Sequence, residues 1–308
     1  MNPLYLILLH ICCAVLALLV VILIIVIRNL RNKAGETLVS DAACASADDE
    51  KAFLAQIVKG FENEEFKMYL QFSVDNKTKK ITSAEALSRW ELPTGEILFP
   101  GKYIGAMEKS GLIKNLDYYM FEMACRKLAA WKGTEFDELT ISCNFTRITI
   151  SEKDFVSKIS GIADRYSFEK CKLLIEITED SLEKNLDTAM KNIRLVKDLG
   201  FSIALDDIGC GYTSLKNLCE YPIDIVKIDR EILLLANGNR GKKLFLGIIS
   251  LAHYLSLEVV CEGVETEEQN ALVSESDLDY VQGWYYSKAL PEDLAEAYAR
   301  EYSLNLSR

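Results

Sequence analysis

Residues 201–211 read Phe-Ser-Ile-Ala-Leu-Asp-Asp-Ile-Gly-Cys-Gly. An apolar run closes on the pair Asp206-Asp207, and Gly209 and Gly211 follow as turn residues. Upstream, residues 186–199 place apolar side chains three and four apart, the spacing of a helix packed on a sheet, and Gly200 stands after them as a C-terminal cap. The unit is therefore helix, tight return, strand, acidic tip. Successive strand residues point to opposite faces, so both aspartates can serve one site only if the strand ends between them and the chain bends, a bend assigned here to the two glycines.

The same grammar repeats along the chain. Strands are expected at 68–74, 81–90, 139–145, 173–178, 201–206, 223–228, 257–262 and 280–283, with helices at 116–131, 186–199 and 242–255 between them. Eight strands suffice to close a barrel. Most of these runs end on a polar residue, in order Glu85, Asn144, Glu176, Asp206-Asp207, Lys227, Glu262 and Gln282. From Asn144 onward the tips stand roughly 20 to 35 residues apart, about one strand, helix and return loop. They therefore fall at one end of successive parallel strands, where catalytic side chains of such barrels gather.

Any single acid after a strand can merely cap the next helix. Several together need another explanation, because two unit charges about 4 Å apart repel by about 4 kcal/mol at an effective dielectric of about 20. Cations relieve that repulsion. Oxygen donors suit Mg²⁺ or Mn²⁺, a lysine can hold a water or phosphate oxygen, and two adjacent carboxylates can share a pair of metal ions. The pattern points to metal-dependent chemistry on a phosphate ester.

Composition agrees with one large α/β domain plus an appendage in 308 residues. A formal net charge of −11, with no Lys/Arg stripe in the body, argues against a nucleic-acid polymer as partner. The nine cysteines contain no CxxC, so neither a zinc cluster nor a redox motif is suggested, and reduced, buried thiols are expected.

The appendage is the amino-terminal run LYLILLHICCAVLALLVVILIIVI, residues 4–27. As a helix it extends about 36 Å, enough to cross a bilayer. Nothing basic precedes it, whereas Arg28, Arg31 and Lys33 follow at once, so an uncleaved single-pass anchor with the body on the cytoplasmic side is expected. The division expected is an anchor with its basic flank at 1–33, a short acidic linker at 34–50, a catalytic domain at 51–302 and a tail at 303–308. His10 within the run and His253 in SLAHYLSL are read as hydrogen-bonded and inert. Asn76-Lys77-Thr78 and Asn144-Phe145-Thr146 match glycan acceptors but would stay bare in a cytoplasmic domain.

The motifs EALSRW from Glu85, CNFT around Asn144, EITED from Glu176, DDIGCGYTSL from Asp206, KIDR from Lys227, EGVET from Glu262 and VQGW around Gln282 occur in that order. On them, residues 51–302 resemble the EAL-type phosphodiesterases of cyclic di-GMP signalling. The resemblance implies a TIM-like (β/α)8 barrel whose first strand runs antiparallel, and hydrolysis of cyclic di-GMP to linear pGpG with two divalent ions, Mg²⁺ or Mn²⁺. By motif position, Glu85, Asn144, Glu176 and Asp206 would hold one metal and Asp206 and Asp207 would engage a second. Lys227 would orient the nucleophilic water, Glu262 would be a metal-side ligand or general base, and Gln282 would support water and phosphate. Glu179 would hold the loop after Asp207, while Gln71, Leu87 and Arg89 would contact the nucleotide.

A homodimer and a membrane location at the bacterial inner membrane are further implications. A catalytically silent cyclic di-GMP receptor is the alternative, although such relatives usually lack metal-ligand or lysine positions that are all present here. Members of the family usually read DDFGTGYSSL, against Ile208, Cys210 and Thr213 in this chain. Phe72 stands where proline is frequent after Gln71, and Trp284 where a smaller aromatic is common.

Overall fold

A computed structural model describes residues 49–178, 186–208 and 215–306. The chain divides into two units, 1–59 and 60–308. Of the first, residues 49–59 are described and are helical. The apolar run 4–27 lies outside the described residues, and among those residues no helix is long and apolar enough to cross a membrane.

The second unit is built on a closed sheet. Among the described residues its strands are β1 (Phe66–Asp75), β2 (Ile81–Glu91), β3 (Ile97–Leu98), β4 (Thr140–Asn144), β5 (Leu173–Thr178), β6 (Ser202–Ile208), β7 (Ile225–Ile228), β8 (Glu258–Cys261), β9 (Tyr280–Gln282) and β10 (Leu290–Pro291). β1 pairs with both β2 and β9, which closes an eight-strand ring in the order β1-β2-β4-β5-β6-β7-β8-β9, with the two-residue strands β3 and β10 beside it. β1 is antiparallel to both neighbours and the remaining ring pairings are parallel, as the resemblance implied. The reversal follows from connection length. β1 and β2 are joined by a tight turn in which Asp75 Oδ1 accepts from the Lys77 and Thr78 amides at 3.1 and 2.6 Å, whereas a parallel pair needs a long crossover.

Alternation along each strand sorts side chains between two cores. Ile141, Ile175, Ile203, Val226, Val259 and Val281 face outward and are buried. The helices Ile113–Trp131, Leu186–Asp198 and Asn239–Tyr254 correspond to the three expected from apolar periodicity. Inside the barrel, Leu174, Ala204, Ile225 and Val260 form one apolar cluster with Tyr280 against it. Above that cluster, at the carboxyl ends of the strands, sit the polar tips.

The eight expected strands are all present, with ends displaced by at most two residues. Helices at Ile104–Ser110, Phe155–Ala163, Glu267–Ser274 and Glu292–Leu306, and the strands β3 and β10, were not expected. Three of these helices are nine residues or shorter, and Glu292–Leu306 buries only the small side chains of Ala295 and Ala299. One expectation needs correction: β6 does not end between Asp206 and Asp207 but runs on to Ile208. The bend lies on Asp207 itself, whose φ is 59°, and the register against β7 slips between Leu205 and Ile208. Aspartate tolerates this left-handed conformation better than most side chains, so a bulge at an acid does what was assigned to Gly209 and Gly211, which lie outside the described residues.

The cysteines are also more mixed than expected. Cys125, Cys143 and Cys261 are buried free thiols, whereas Cys171 and Cys219 are exposed.

Candidate active site

The tips meet around one ammonium group. Lys227 is the third residue of β7, and inward alternation sends it up the barrel axis with 3 % of its surface exposed. Its Nζ lies 2.6 Å from Glu262 Oε1, 2.8 Å from Glu176 Oε1, 3.5 Å from Glu85 Oε2 and 3.7 Å from Asp206 Oδ1. Four strands and the residue after a fifth thus aim at a single point.

Glu85 has the fullest set of partners. Asn144 Nδ2 donates to its Oε1 at 2.9 Å and Gln282 Nε2 to its Oε2 at 2.7 Å. Ser73 Oγ on β1 in turn donates to Gln282 Oε1 at 2.9 Å and fixes which way that amide faces. Two glycines let the supporting strand ends approach. Gly263, directly after Glu262, has φ 70° and stands where a Cβ would come 2.5 Å from Arg230. A Cβ on Gly283, directly after Gln282, would come 2.0 Å from the Val264 carbonyl oxygen.

Charge balance separates the carboxylates. Burial alone pushes Glu85 up, but Lys227 and the Gln282 and Asn144 amides hold it below the usual range. Glu176 has Lys227 without the two amides, so burial, with Glu85 and Asp206 nearby, raises it to about 8. Asp206 and Glu262 are also pushed up, by burial first and then by Glu85 and other carboxylates. Burial opposes the charge on Lys227, yet Asp206, Glu176, Glu262 and Glu85 outweigh it and raise the ammonium well above its ordinary value. One cation is too little for four carboxylates.

The donors fit a hard divalent ion: all are oxygens, they lie on one face, and Glu176 Oε2 is buried with no hydrogen-bond partner. Their spacing does not form a ready cage. Among the described residues no three acidic, histidine or cysteine side chains are grouped to grip a cation, because they close on Lys227 instead.

The remaining expected residues sit near this cluster or apart from it. Asp207 is exposed at the rim and donates its backbone N–H to Asp206 Oδ1 at 2.9 Å. Leu87 and Arg89 lie two and four residues beyond Glu85 on the same face of β2, about 7 and about 13 Å along the strand. Arg89 is buried against the rings of Phe99 at 4.8 Å and Tyr69 at 5.5 Å, its Nη1 donates to the Ser88 carbonyl at 2.8 Å, and among the described residues no carboxylate pairs with it. The Gln71 amide donates to the Ser287 carbonyl at 3.1 Å. Glu179, and the loop positions Cys210 and Thr213, lie outside the described residues. Phe72 stacks on Tyr298 in the core, and Trp284 is 61 % exposed with the Lys288 ammonium over its ring.

A groove of about 680 Å³ opens at the rim beside the cluster, bordered by Leu87, Lys109, Asp117, Asn144, Arg147 and Thr178. That is the size range of sites for small organic ligands. Asp117 was missed in the sequence. Its Oδ2 accepts from the Thr146 amide and hydroxyl and from the Thr149 hydroxyl at 3.0, 2.7 and 2.6 Å, which pins the loop directly after Asn144. The available signal was an acid on the apolar stripe that carries Ile113, Leu116 and Met120.

His253 is hydrogen-bonded to Asp279 at 2.9 Å on the helix Asn239–Tyr254, as expected for a structural group. Asn76 donates to the Val273 and Ser276 carbonyls, so its amide is engaged inside the fold.

The model of the EAL domain family matches residues 54–289. The chain is 31% identical over 79% of its length to the signaling protein YkoW of Bacillus subtilis, and 30% identical over 83% to the cyclic di-GMP phosphodiesterase NbdA of Pseudomonas aeruginosa. It covers 30% and 33% of those proteins, about a third of their length. Among solved structures, the PaMucR phosphodiesterase in complex with c-di-GMP is similar with a TM-score of 0.74 and 27% identity, over 79% of this chain and 98% of that one. The barrel with one antiparallel strand, the cluster at its carboxyl end and these matches lead to one conclusion: the chain belongs to the EAL domain family.

Proposed function

We propose that the chain hydrolyses one phosphodiester bond of cyclic di-GMP to give linear pGpG, using two divalent ions, Mg²⁺ or Mn²⁺, at the cytoplasmic face of the bacterial inner membrane. The observation that carries this reading is the meeting of Glu85, Glu176, Asp206 and Glu262 on Lys227 at the carboxyl end of the barrel, in a fold shared with a phosphodiesterase solved with that nucleotide. Glu85, Asn144, Glu176, Asp206, Asp207 and Glu262 would hold the ions. Bound there, the ions would neutralise phosphate charge and bring the pKa of a water towards neutrality.

The chain's own groups divide the remaining work. Lys227 stays protonated, so it cannot take a proton; it donates hydrogen bonds that fix the attacking water and a phosphate oxygen. Glu262, 2.6 Å away, serves as a metal-side ligand or, in its ionised form, as the base that accepts the water's proton as the water oxygen bonds to phosphorus and the bond from phosphorus to the 3′ oxygen breaks. Gln282, held by Ser73, keeps Glu85 oriented. Arg89, packed between two rings and without a carboxylate partner among the described residues, offers its fork to the second phosphate, and Leu87 and Gln71 flank the nucleotide. The run 4–27 supports anchorage by its length and the basic residues after it.

The test uses the full chain with Mg²⁺ or Mn²⁺ and cyclic di-GMP, with the linear product followed by chromatography. Glu85→Ala and Lys227→Ala are each expected to lower kcat/KM by at least about 1000-fold. Retained nucleotide binding with no product under either metal would instead identify a receptor.

A further inference from the structure

The barrel interior is open from below. Barrels of this class usually fill their inward positions with three layers of bulky branched side chains. Here Ser73, Ser83, Ser142 and Ser202 take inward positions in the lower half, with Ala204 above Ser202. The volume they leave is a cavity of about 340 Å³ that enters between the amino-terminal ends of β4, β6, β8 and β9 and ends against Lys227, Glu176 and Gln282. Leu174, Ile225 and Val260, in the middle of the barrel, consequently keep 8 to 9 % of their surface exposed.

The lining is suited to water. Thr82 borders this space, and its Oγ1 is buried with no hydrogen-bond partner, a condition that ordered water commonly relieves. The volume accommodates on the order of ten waters at about 30 Å³ each. At the mouth, the Tyr280 hydroxyl donates to Glu258 at 3.4 Å across one side of the opening.

Hydrolysis consumes one water per turnover, and a nucleotide seated on the rim covers the front of the cluster. We propose that the barrel floor is a solvent shaft through which water reaches the underside of the Lys227–Glu176 pair, so that the hydrolytic site is resupplied from behind while the nucleotide occupies the front. This rests on the function proposed above. In atoms, the water that enters gives its oxygen to phosphorus, one of its protons ends on the departing 3′ oxygen and the other is released.

Ser142→Cys places a thiol on the shaft wall, next in sequence to Cys143, which points to the outer core and is fully buried. Methyl methanethiosulfonate is added to the full folded chain and the label is located by peptide fragmentation, with Cys143 as the internal control for unfolding. The introduced thiol is expected to react while Cys143 does not, at an unchanged rate when a cleavage-resistant phosphorothioate analogue of cyclic di-GMP saturates the front. A second substitution, Ser202→Trp, is expected to slow that labelling by at least about tenfold, and alone to lower kcat by at least about tenfold at constant KM.

An unreactive introduced thiol, protection by the analogue, or a plugged shaft with undiminished kcat each overturns the proposal. Labelling of the Ser142→Cys variant at its new thiol, in a chain that cleaves no cyclic di-GMP, counts against the hydrolase reading and leaves the access route standing.

Discussion

Lys227 is the residue on which the site is balanced. Four buried or half-buried carboxylates share its charge, so its removal leaves them facing one another. Lys227→Met is expected to destabilise the fold by about 3 to 5 kcal/mol in chemical denaturation near neutral pH, and added Mg²⁺ should return part of the loss by binding the folded form. A loss under about 1 kcal/mol would mean that the carboxylates are already neutral without the lysine. Asp117 carries a separate pH signature. Burial raises its carboxyl to about 6 despite three donated hydrogen bonds. The folded chain therefore binds this proton more tightly than the unfolded chain does. Stability from the protonated form is complete below about pH 4 and falls as pH rises towards 6, by up to about 3 kcal/mol. Asp117→Asn is expected to flatten that slope in unfolding measured from about pH 4 to 7, and an unchanged slope would assign the titration elsewhere.

At the scale of the element, β6 shows how a strand can present two adjacent acids. Alternation would send Asp206 and Asp207 to opposite faces, and the left-handed turn at Asp207 instead leaves Asp206 3.7 Å from Lys227 and Asp207 at the rim. Backbone and carboxylate roles can be separated there. Asp207→Gly is expected to keep the stability of the parent while losing turnover, and Asp207→Val to lose turnover and about 1 to 2 kcal/mol besides, since a β-branched residue is strained at positive φ. Equal stabilities for the two variants would place the bend elsewhere. The tips on β4, β5 and β7 and the one directly after β8 were legible in the sequence because each stands at or near the end of a short apolar run. The turn at Asp207 was not, because an aspartate is compatible with strand, cap and left-handed bend alike, and the nearby glycines gave a stronger but misplaced signal.

For the whole molecule, the apolar run and the barrel pose independent questions. With residues 4–27 present, the full chain is expected to sediment with membranes and to resist extraction by high salt or alkali. Deletion of that run should shift the chain to the soluble fraction, and extraction of the intact chain by salt alone would exclude a spanning anchor. Barrel closure depends on the β1–β2 hairpin, because β1 pairs with β9 as well and joins the first ring strand to the last. That closure also places Ser73 beneath Gln282, which is 209 residues away in the chain.

By itself the sequence determined the repeating strand and helix, the number of strands that closes the ring, and the identity of the polar tips, since period, punctuation and residue type are local properties. Motif order further placed the chain beside a family. Only the tertiary structure decided that the carboxylates converge on Lys227, that Asp117 holds the loop after Asn144, and that serines on four different strands leave the barrel floor open. Those outcomes depend on register and on distances between residues remote in sequence, and neither is encoded in the pattern of any one segment.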